Sequence, residues 1–414
     1  MITKDLQYYK FSAYGFLKNL RFFDPFLLLF LRSVGLSFFQ IGLLFSIREI
    51  SVTVLEVPTG IVADWLGRKS AMIFSFLSYI LSFALFYLFS SFALFALAMF
   101  LFGIGEAFRT GTHKAMIFDY LRWKNIADQK TAYYGHTRSW SQRGSALSSL
   151  IAGALVLLVG NYRVVFLATI FPYILELGLM ISYPPELNGL GESSRSGRKG
   201  FDWRALVEVL RTAEFRRGIL NSAVYDGLFK AVKDYLQPVL RTLALSLPVL
   251  LAWQSEQRSA IVIALVYFLI FMLSARASRS SDLFRQRFRN LPVAVNVSFV
   301  IGVLLTALVG LFYYGNWTGW AVVLFVSLYV FQNLRRPMNV SYISDVIPAQ
   351  LMATGLSIES QVKTAVIAIL APIIGWLADH FQIGIALAVV AVIVALSFPL
   401  YFLRGSNSEP GDIQ

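Results

Sequence analysis

Long apolar runs, each closed by a short polar or glycine-bearing break, repeat along the whole chain. A run of about 20 apolar residues makes a helix that crosses the hydrocarbon core of a bilayer. The pattern predicts six such helices in the first half: Phe11–Ser33, Phe39–Ala63, Ser70–Phe89, Phe92–Tyr120, Gly135–Val159 and Val164–Tyr183. A polar stretch, Pro184–Phe215, follows. Its Gly189–Gly200 segment mixes Gly, Ser and charge and cannot bury a core, while Phe201–Arg211 predicts a short amphipathic helix on the membrane surface. Six more spans follow at Arg217–Leu247, Ile261–Ala275, Leu291–Tyr314, Trp320–Pro337, Met352–Ala378 and Ile383–Leu403. Pro238, Pro248 and the polar run Trp253–Arg258 blur the border between the seventh and the eighth. The expected architecture is an all-α integral membrane protein of twelve transmembrane helices. Its six-helix halves at 1–184 and 216–404 are joined by a cytoplasmic linker at 185–215, with a tail at 405–414.

Composition agrees. Of 414 residues 57% are hydrophobic and 14% charged, against about 25% charged in a soluble domain. Mean hydropathy is +0.65. The net charge of +13 has a topological reading. Arg68 and Lys69, Arg122, Lys124 and Lys130, the arginines of the linker, Arg276 to Arg289, Arg335 and Arg336, and Arg404 all fall on one side of a twelve-span chain. The loops Ser90-Ser91, Tyr314–Trp317 and Asp379–Gln382 on the other side carry no Lys or Arg. Positive charge is retained in the cytoplasm, so both termini and the linker are expected inside a cell (inner) membrane. The 36 Phe and 19 Tyr sit mostly within apolar runs, where lipid contact and packing account for them. No nucleic-acid partner is expected. No cleavable signal peptide is visible at Met1–Lys10. There is no cysteine, and His113, His136 and His380 lack ligand spacing, so neither a metal nor a cofactor is expected. No phosphate-cradling Gly-x-x-x-x-Gly-Lys-Ser/Thr loop exists to use ATP, and no nucleophile–base set marks an enzyme.

The halves echo each other. Ala115–Asp119 closes the fourth helix as Ser341–Asp345 closes the tenth, and Gly135 with Arg143 matches Gly355 with Lys363. Gly60-Ile61-Val62-Ala63-Asp64 and Gly375-Trp376-Leu377-Ala378-Asp379 end the second and eleventh helices, which run in opposite senses. Inverted three-helix units nested in six-helix halves have this property.

The first of these runs on to give Gly60-Ile61-Val62-Ala63-Asp64-Trp65-Leu66-Gly67-Arg68-Lys69. It resembles the signature Gly-x-x-x-Asp-Arg-x-Gly-Arg-Arg/Lys of the major facilitator superfamily, with Trp65 where that family usually has Arg. Glu56-Val57-Pro58-Thr59 is similar to the end of the second helix in bacterial efflux-type members. The stretch from Arg336-Pro337 through Asp345 to Ala353–Ser357 resembles the family's loop between helices ten and eleven. The likeness covers essentially the whole chain. Two marks depart from the family: the basic loop Ser274–Arg289 lacks a Gly-Arg-Lys ending, and Ser141–Ala146 has the glycine but not the proline of proton-driven drug exporters. The resemblance implies a secondary transporter that moves a small-molecule substrate by alternating access, expected to be proton-coupled, monomeric and an exporter. It also implies that Gly60, Asp64, Gly67, Arg68 and Lys69 form a gating latch. Asp64 is placed to accept from a neighbouring helix N-terminus, and Gly60 and Gly67 to permit close approach and a tight turn. An uncoupled facilitator, a lipid transporter and a non-transporting membrane sensor or scaffold of the same fold stay open on sequence alone.

Ionisable residues inside membrane helices are expensive and mark pathways or partners. Glu106, Arg109 and His113 share one face of the fourth helix, with His113 expected in solvent near its end. Asp226, Lys230, Lys233, Asp234 and Gln237 make one polar stripe on the seventh, Glu359 and Lys363 a pair on the eleventh, and Asn19, Arg21 and Asp24 a group on the first. Arg48, Glu49 and Glu56 add charges to the second. The expected substrate and proton path comprises Asn19, Arg21, Asp24, Glu106, Arg109, Tyr225, Asp226, Lys230, Asp234, Gln332, Glu359 and Lys363. Glu106, Asp24 and Asp226 are its candidate proton carriers.

Overall fold

The computed structural model describes residues 4–126, 129–188, 211–248, 251–347 and 352–404. The tail at 405–414, most of the 185–215 linker and the surface helix expected from Phe201 lie outside the described residues. Every long regular element among the described residues is a helix. In chain order they are α1 (Leu6–Leu17), α2 (Leu27–Ser33), α3 (Phe38–Leu66), α4 (Arg68–Leu88), α5 (Phe92–Arg109), α6 (Thr112–Trp123), α7 (Lys130–Val159) and α8 (Val164–Ile181). Then come α9 (Ala213–Val232), α10 (Leu236–Ser246), α11 (Ser255–Arg279), the short α12 (Ser281–Arg285), α13 (Leu291–Tyr314), α14 (Thr318–Val346), α15 (Met352–Phe381) and α16 (Ile383–Ser397).

Among the described residues, nine helices are long and apolar enough to cross a membrane, α5 with α6 counting as one. The three other membrane-length stretches are each interrupted or polar. The first breaks between α1 and α2. The seventh breaks at a 3-10 turn, Lys233–Tyr235, between α9 and α10. α14 carries Gln332, Asn333, Arg335 and Arg336 at mid-length and runs through Pro337 to Val346, past the end expected for the tenth span. Exposed Leu158, Leu396 and Leu400 show what solvates the outer faces: side chains this apolar and this uncovered belong against lipid.

Local chemistry sets the helix ends. Ser37 starts α3 with a reciprocal cap: its hydroxyl accepts from the Gln40 N–H at 3.2 Å while its own N–H donates to Gln40 Oε1 at 3.0 Å. Asp5, Ser91 and Asn290 cap α1, α5 and α13 one way, each accepting an N–H three residues on. Gly67, at φ +91°, turns α3 sharply into α4.

By internal contact the chain divides into two compact units. The first gathers the described residues of Met1–Lys199 and Asp234–Phe271, the second those of Gly200–Lys233 and Met272–Gln414. In the first, α4 packs on α5 and α8, α3 on α5, and α1 on α7. An aromatic core of Phe23, Phe30, Phe83, Phe86 and Phe166 fills it, with Phe86 and Phe166 stacked at 4.9 Å. α10 and α11 join this unit through specific contacts. Gln237 bonds the backbone of the α1–α2 break, Tyr162 bonds Ser259 at 2.6 Å, and Gln257 Nε2 donates to the Leu157 carbonyl at 2.8 Å. In the second unit α13 packs on α14 and α16, and α9 on α14 and α15. α13 and α16 meet at Gly310 and Gly384, where a Cβ on Gly384 would stand 2.7 Å from the Gly310 carbonyl oxygen. Small residues let the two backbones touch, as membrane helix pairs require when no hydrophobic effect drives them together.

Candidate functional site

In the first unit the acid of the fourth helix is the hub. Glu106 of α5 accepts from Arg21 Nη2 at 3.0 Å, from Arg109 one turn along α5, and from the Tyr79 hydroxyl of α4. Arg21 also donates to the Tyr173 hydroxyl of α8 at 3.2 Å, and Tyr173 in turn donates to the Lys18 carbonyl at 3.3 Å. Arg109 Nε donates to Tyr79 at 3.3 Å. Side chains of Arg21, Glu106 and Arg109 keep 20%, 21% and 15% of their surface exposed. The group is therefore enclosed by protein but still reachable by water. Asn19 lies beside it, donating to the Gly15 carbonyl at 2.7 Å and accepting from Ser145 at 3.4 Å. Arg21 sits in the irregular stretch between α1 and α2, which aims its guanidinium at α5, with the Phe102 ring 5.5 Å from it.

His113 corrects its expected place. It is buried, stacked on Tyr14 at 3.5 Å and within 3.2 Å of the Tyr183 hydroxyl. Gly111, at φ +82°, ends α5 and restarts the chain as α6, and this swings the histidine inward. Close to Tyr14 lies Glu176 of α8, fully buried, whose carboxyl oxygens meet no side-chain donor among the described residues and face the Lys18 backbone N–H. Lys18 and Arg109 are the cations that act on it.

In the second unit Asp226 of α9 accepts from Gln332 Nε2 of α14 at 2.9 Å. Arg335, one turn further along α14, is fully buried, with its guanidinium 4.1 Å from the Tyr225 ring and 5.6 Å from that of Phe299. Arg335 donates to Asn221 Oδ1, while its Nε and Nη1 have no partner among the described residues. Asn221 donates to the Tyr401 carbonyl at 3.0 Å, and Asn296 to that of Leu403 at 2.8 Å. A separate group joins Glu359 to Lys363 at 3.8 Å and to Ser222 at 3.0 Å, with Asn339 donating to Ser222.

The expected single stripe on the seventh helix is split. The 3-10 turn at Lys233–Tyr235 advances the chain about 120° per residue instead of 100°, so Asp226 and Gln237 no longer share a face. Asp226 belongs to the second unit. Asp234 is buried in the first, where Gln237 accepts from the Leu28 N–H at 2.9 Å and donates to the Asp24 carbonyl at 2.9 Å. The Asp24 side chain itself is exposed, and Lys230 is half-buried on α9.

The ten-residue signature forms a cap on the first unit. Arg68 pairs with Asp119 of α6, which also lies 3.7 Å from Arg122. The Lys69 N–H donates to Asn188 Oδ1 at 3.0 Å and its ammonium to the Tyr183 carbonyl at 2.8 Å. Asn188 fills the space that a Cβ on Gly67 would need. Gly60 differs from expectation: it faces open space, and no helix approaches it. Asp64 and Trp65 are exposed, Trp65 by 78%.

Known proteins share this fold. The family model of the Major Facilitator Superfamily matches residues 15–297, about two thirds of the chain. The chain belongs to the Major Facilitator Superfamily. As a superfamily member it is a multi-pass membrane transporter and not an enzyme. It is 22% identical to YxaM of Bacillus subtilis (strain 168), an uncharacterized MFS-type transporter, over 95% of this chain and 94% of that one. Its fold is similar to that of the nucleoside transporter NupG, with a TM-score of 0.76 at 12% identity over 97% of this chain and 100% of that one. It is also similar to a D-xylose-proton symporter, with a TM-score of 0.70 at 13% identity over 97% and 98% of the two chains.

The basic loop after α3 and the charges of the fourth helix were legible in the sequence. Tyr79, Tyr173, Glu176 and Arg335 were not assigned to a site. For Glu176 a signal existed, a lone acid inside the very apolar span Val164–Ile181. Arg335 was grouped with Arg336 as a charge of the helix end, because the sequence alone does not show that α14 continues past both.

Proposed function

We propose that this chain moves a small polar solute by alternating access, with a proton as the coupling ion. The observation that carries the reading is the Glu106 hub. A carboxylate held by two guanidiniums and a tyrosine, yet reachable by water, is costly inside a membrane and is retained for use rather than for stability. Protonation of Glu106 releases Arg109. Glu176, whose oxygens meet no side-chain donor among the described residues, is the second acid within its field. Exchange of Arg109 between the two carboxyls gives protonation a structural consequence. The Asp226–Gln332 pair and the Glu359–Lys363–Ser222 group of the second unit are the polar surfaces offered to solute.

The test is solute movement in liposomes under an imposed pH gradient. Nucleosides, peptides and D-xylose are the starting panel, because solved transporters of similar fold include a nucleoside transporter, a peptide transporter and a D-xylose-proton symporter. Accumulation driven by an inward proton gradient marks symport, and depletion marks the export suggested by Glu56–Thr59. Glu176→Gln is expected to reduce gradient-driven movement at least tenfold while leaving the melting temperature within a degree or two, since its oxygens meet no side-chain donor and the amide keeps an acceptor for the Lys18 backbone N–H. Flux indifferent to the gradient in the unmodified protein would identify a facilitator instead.

The proposal extends to topology. Two six-helix bundles, at 1–184 and 216–404, act as the moving parts of a monomer in the cell (inner) membrane with both termini cytoplasmic. The excess of Arg and Lys on one side, against Arg163 and Arg258 on the other, supports this. Because the chain has no cysteine, single replacements report sidedness directly. Asn316→Cys is expected to react with an impermeant maleimide from outside intact cells and Trp65→Cys only after lysis. The reverse pattern would invert the topology.

A further inference from the structure

At the end of the second unit a cavity of about 240 Å³ is lined by Arg217 of α9 and by Phe398, Pro399, Phe402 and Arg404, where the chain leaves α16. Its lining holds two cations and no acid. Neither guanidinium makes a hydrogen bond or an ion pair with a described residue. The walls are fixed. Phe398 stacks on Phe299 of α13 at 4.9 Å. The Leu403 N–H donates to Asn296 Oδ1 at 3.1 Å, and Asn296 returns a bond to the Leu403 carbonyl at 2.8 Å, so Arg404 projects from pinned backbone. Two forks with no described hydrogen-bond partner around a shared space make a receptor for an oxyanion, because guanidinium matches phosphate oxygens two at a time.

The surroundings select the source of that anion. Phe402 and Leu400 are large, apolar and exposed by 46% and 71% beside the cavity. A soluble anion gains nothing from them, whereas an acyl chain does. We propose that this cavity binds the phosphate of an anionic phospholipid, with its chains laid over Leu400 and Phe402. Such a lipid ties the start of α9 to the end of α16 within the second unit, bridging two segments that the polar network of Asn221 and Asn296 already joins from inside. The site is independent of the solute and the coupling ion.

Native mass spectrometry of the detergent-purified full chain tests this with phosphatidylglycerol, phosphatidylcholine and inorganic phosphate as probes. Phosphatidylglycerol is expected to remain bound in preference to phosphatidylcholine. Its affinity is expected to fall about tenfold in the double variant Arg217→Gln/Arg404→Gln, as loss of charge-assisted contacts predicts. Single variants Arg217→Gln and Arg404→Gln give smaller losses and serve if the double variant does not fold. Equal phosphatidylglycerol retention in the variants overturns the proposal. Displacement of the lipid by millimolar inorganic phosphate also overturns it, assigning the cavity to a soluble anion.

Discussion

Glu106→Gln is expected to abolish gradient-driven solute movement and to destabilise the first unit by about 3 kcal/mol. The amide keeps the shape of the side chain but removes the charge that Arg21 and Arg109 share. Two guanidiniums then stand close together in a largely enclosed space without a carboxylate bonded between them. The cost comes from leaving charges unpaired, and it exceeds the net value of the intact group. Tyr79 loses a strong acceptor at the same time. Melting of the purified protein and flux in liposomes are the two measurements. A variant that melts like the parent would show that water, rather than Glu106, balances the arginines. A variant that still accumulates solute under a pH gradient would remove Glu106 from the coupling mechanism. The comparison with Glu176→Gln is informative because both substitutions are nearly isosteric. One breaks a satisfied cluster, and the other alters a carboxyl that no side chain bonds.

Arg335→Met carries the opposite signature. Its guanidinium is buried with one neutral acceptor, Asn221, and two nitrogens unpartnered among the described residues. The rings of Tyr225 and Phe299 offset part of the desolvation through their π-faces. An apolar side chain of similar length fills the same slot and removes the cost of burying the charge, several kcal/mol for an ion in a protein interior, against about 1–3 kcal/mol for leaving Asn221 Oδ1 without its donor. The melting temperature is therefore expected to hold or rise while solute movement is lost. Asn221 keeps its bonds to Tyr401 and Asn296, so the network beneath survives. A large fall in melting temperature would instead make Arg335 a structural strut.

Much of the fold was legible because the bilayer imposes a simple rule on the chain. Spans such as Ser70–Phe89, Leu291–Tyr314 and Ile383–Leu403 are apolar all round, and the structure sets α4, α13 and α16 within two or three residues of their starts. The ends obey local chemistry and were harder to read. Pro337 does not stop α14, and Gly111 does break the fourth helix. The hub was half visible. Glu106 and Arg109 advertise themselves as charges one turn apart, and Arg21 as a charge in the first span. Their tyrosine partners do not, because a tyrosine in an apolar helix reads the same whether its hydroxyl meets a carboxylate or a headgroup. His113 and Arg335 were misplaced for a common reason. Each lies near a break or an end inferred from spacing alone, and burial there depends on which neighbour the chain bends toward.

The unwound stretch between α1 and α2 reaches further than the site it serves. Backbone amides outside a helix cannot be left to hydrocarbon, and here Gln237 and Tyr173 supply the missing partners. Phe26, Leu28 and Leu31, just past the break, are wholly enclosed. This segment is thereby barred from the perimeter. Any inhibitor, antibody or second protein that grips the molecule from within the bilayer must do so elsewhere, and the first helix can travel only together with its sheath.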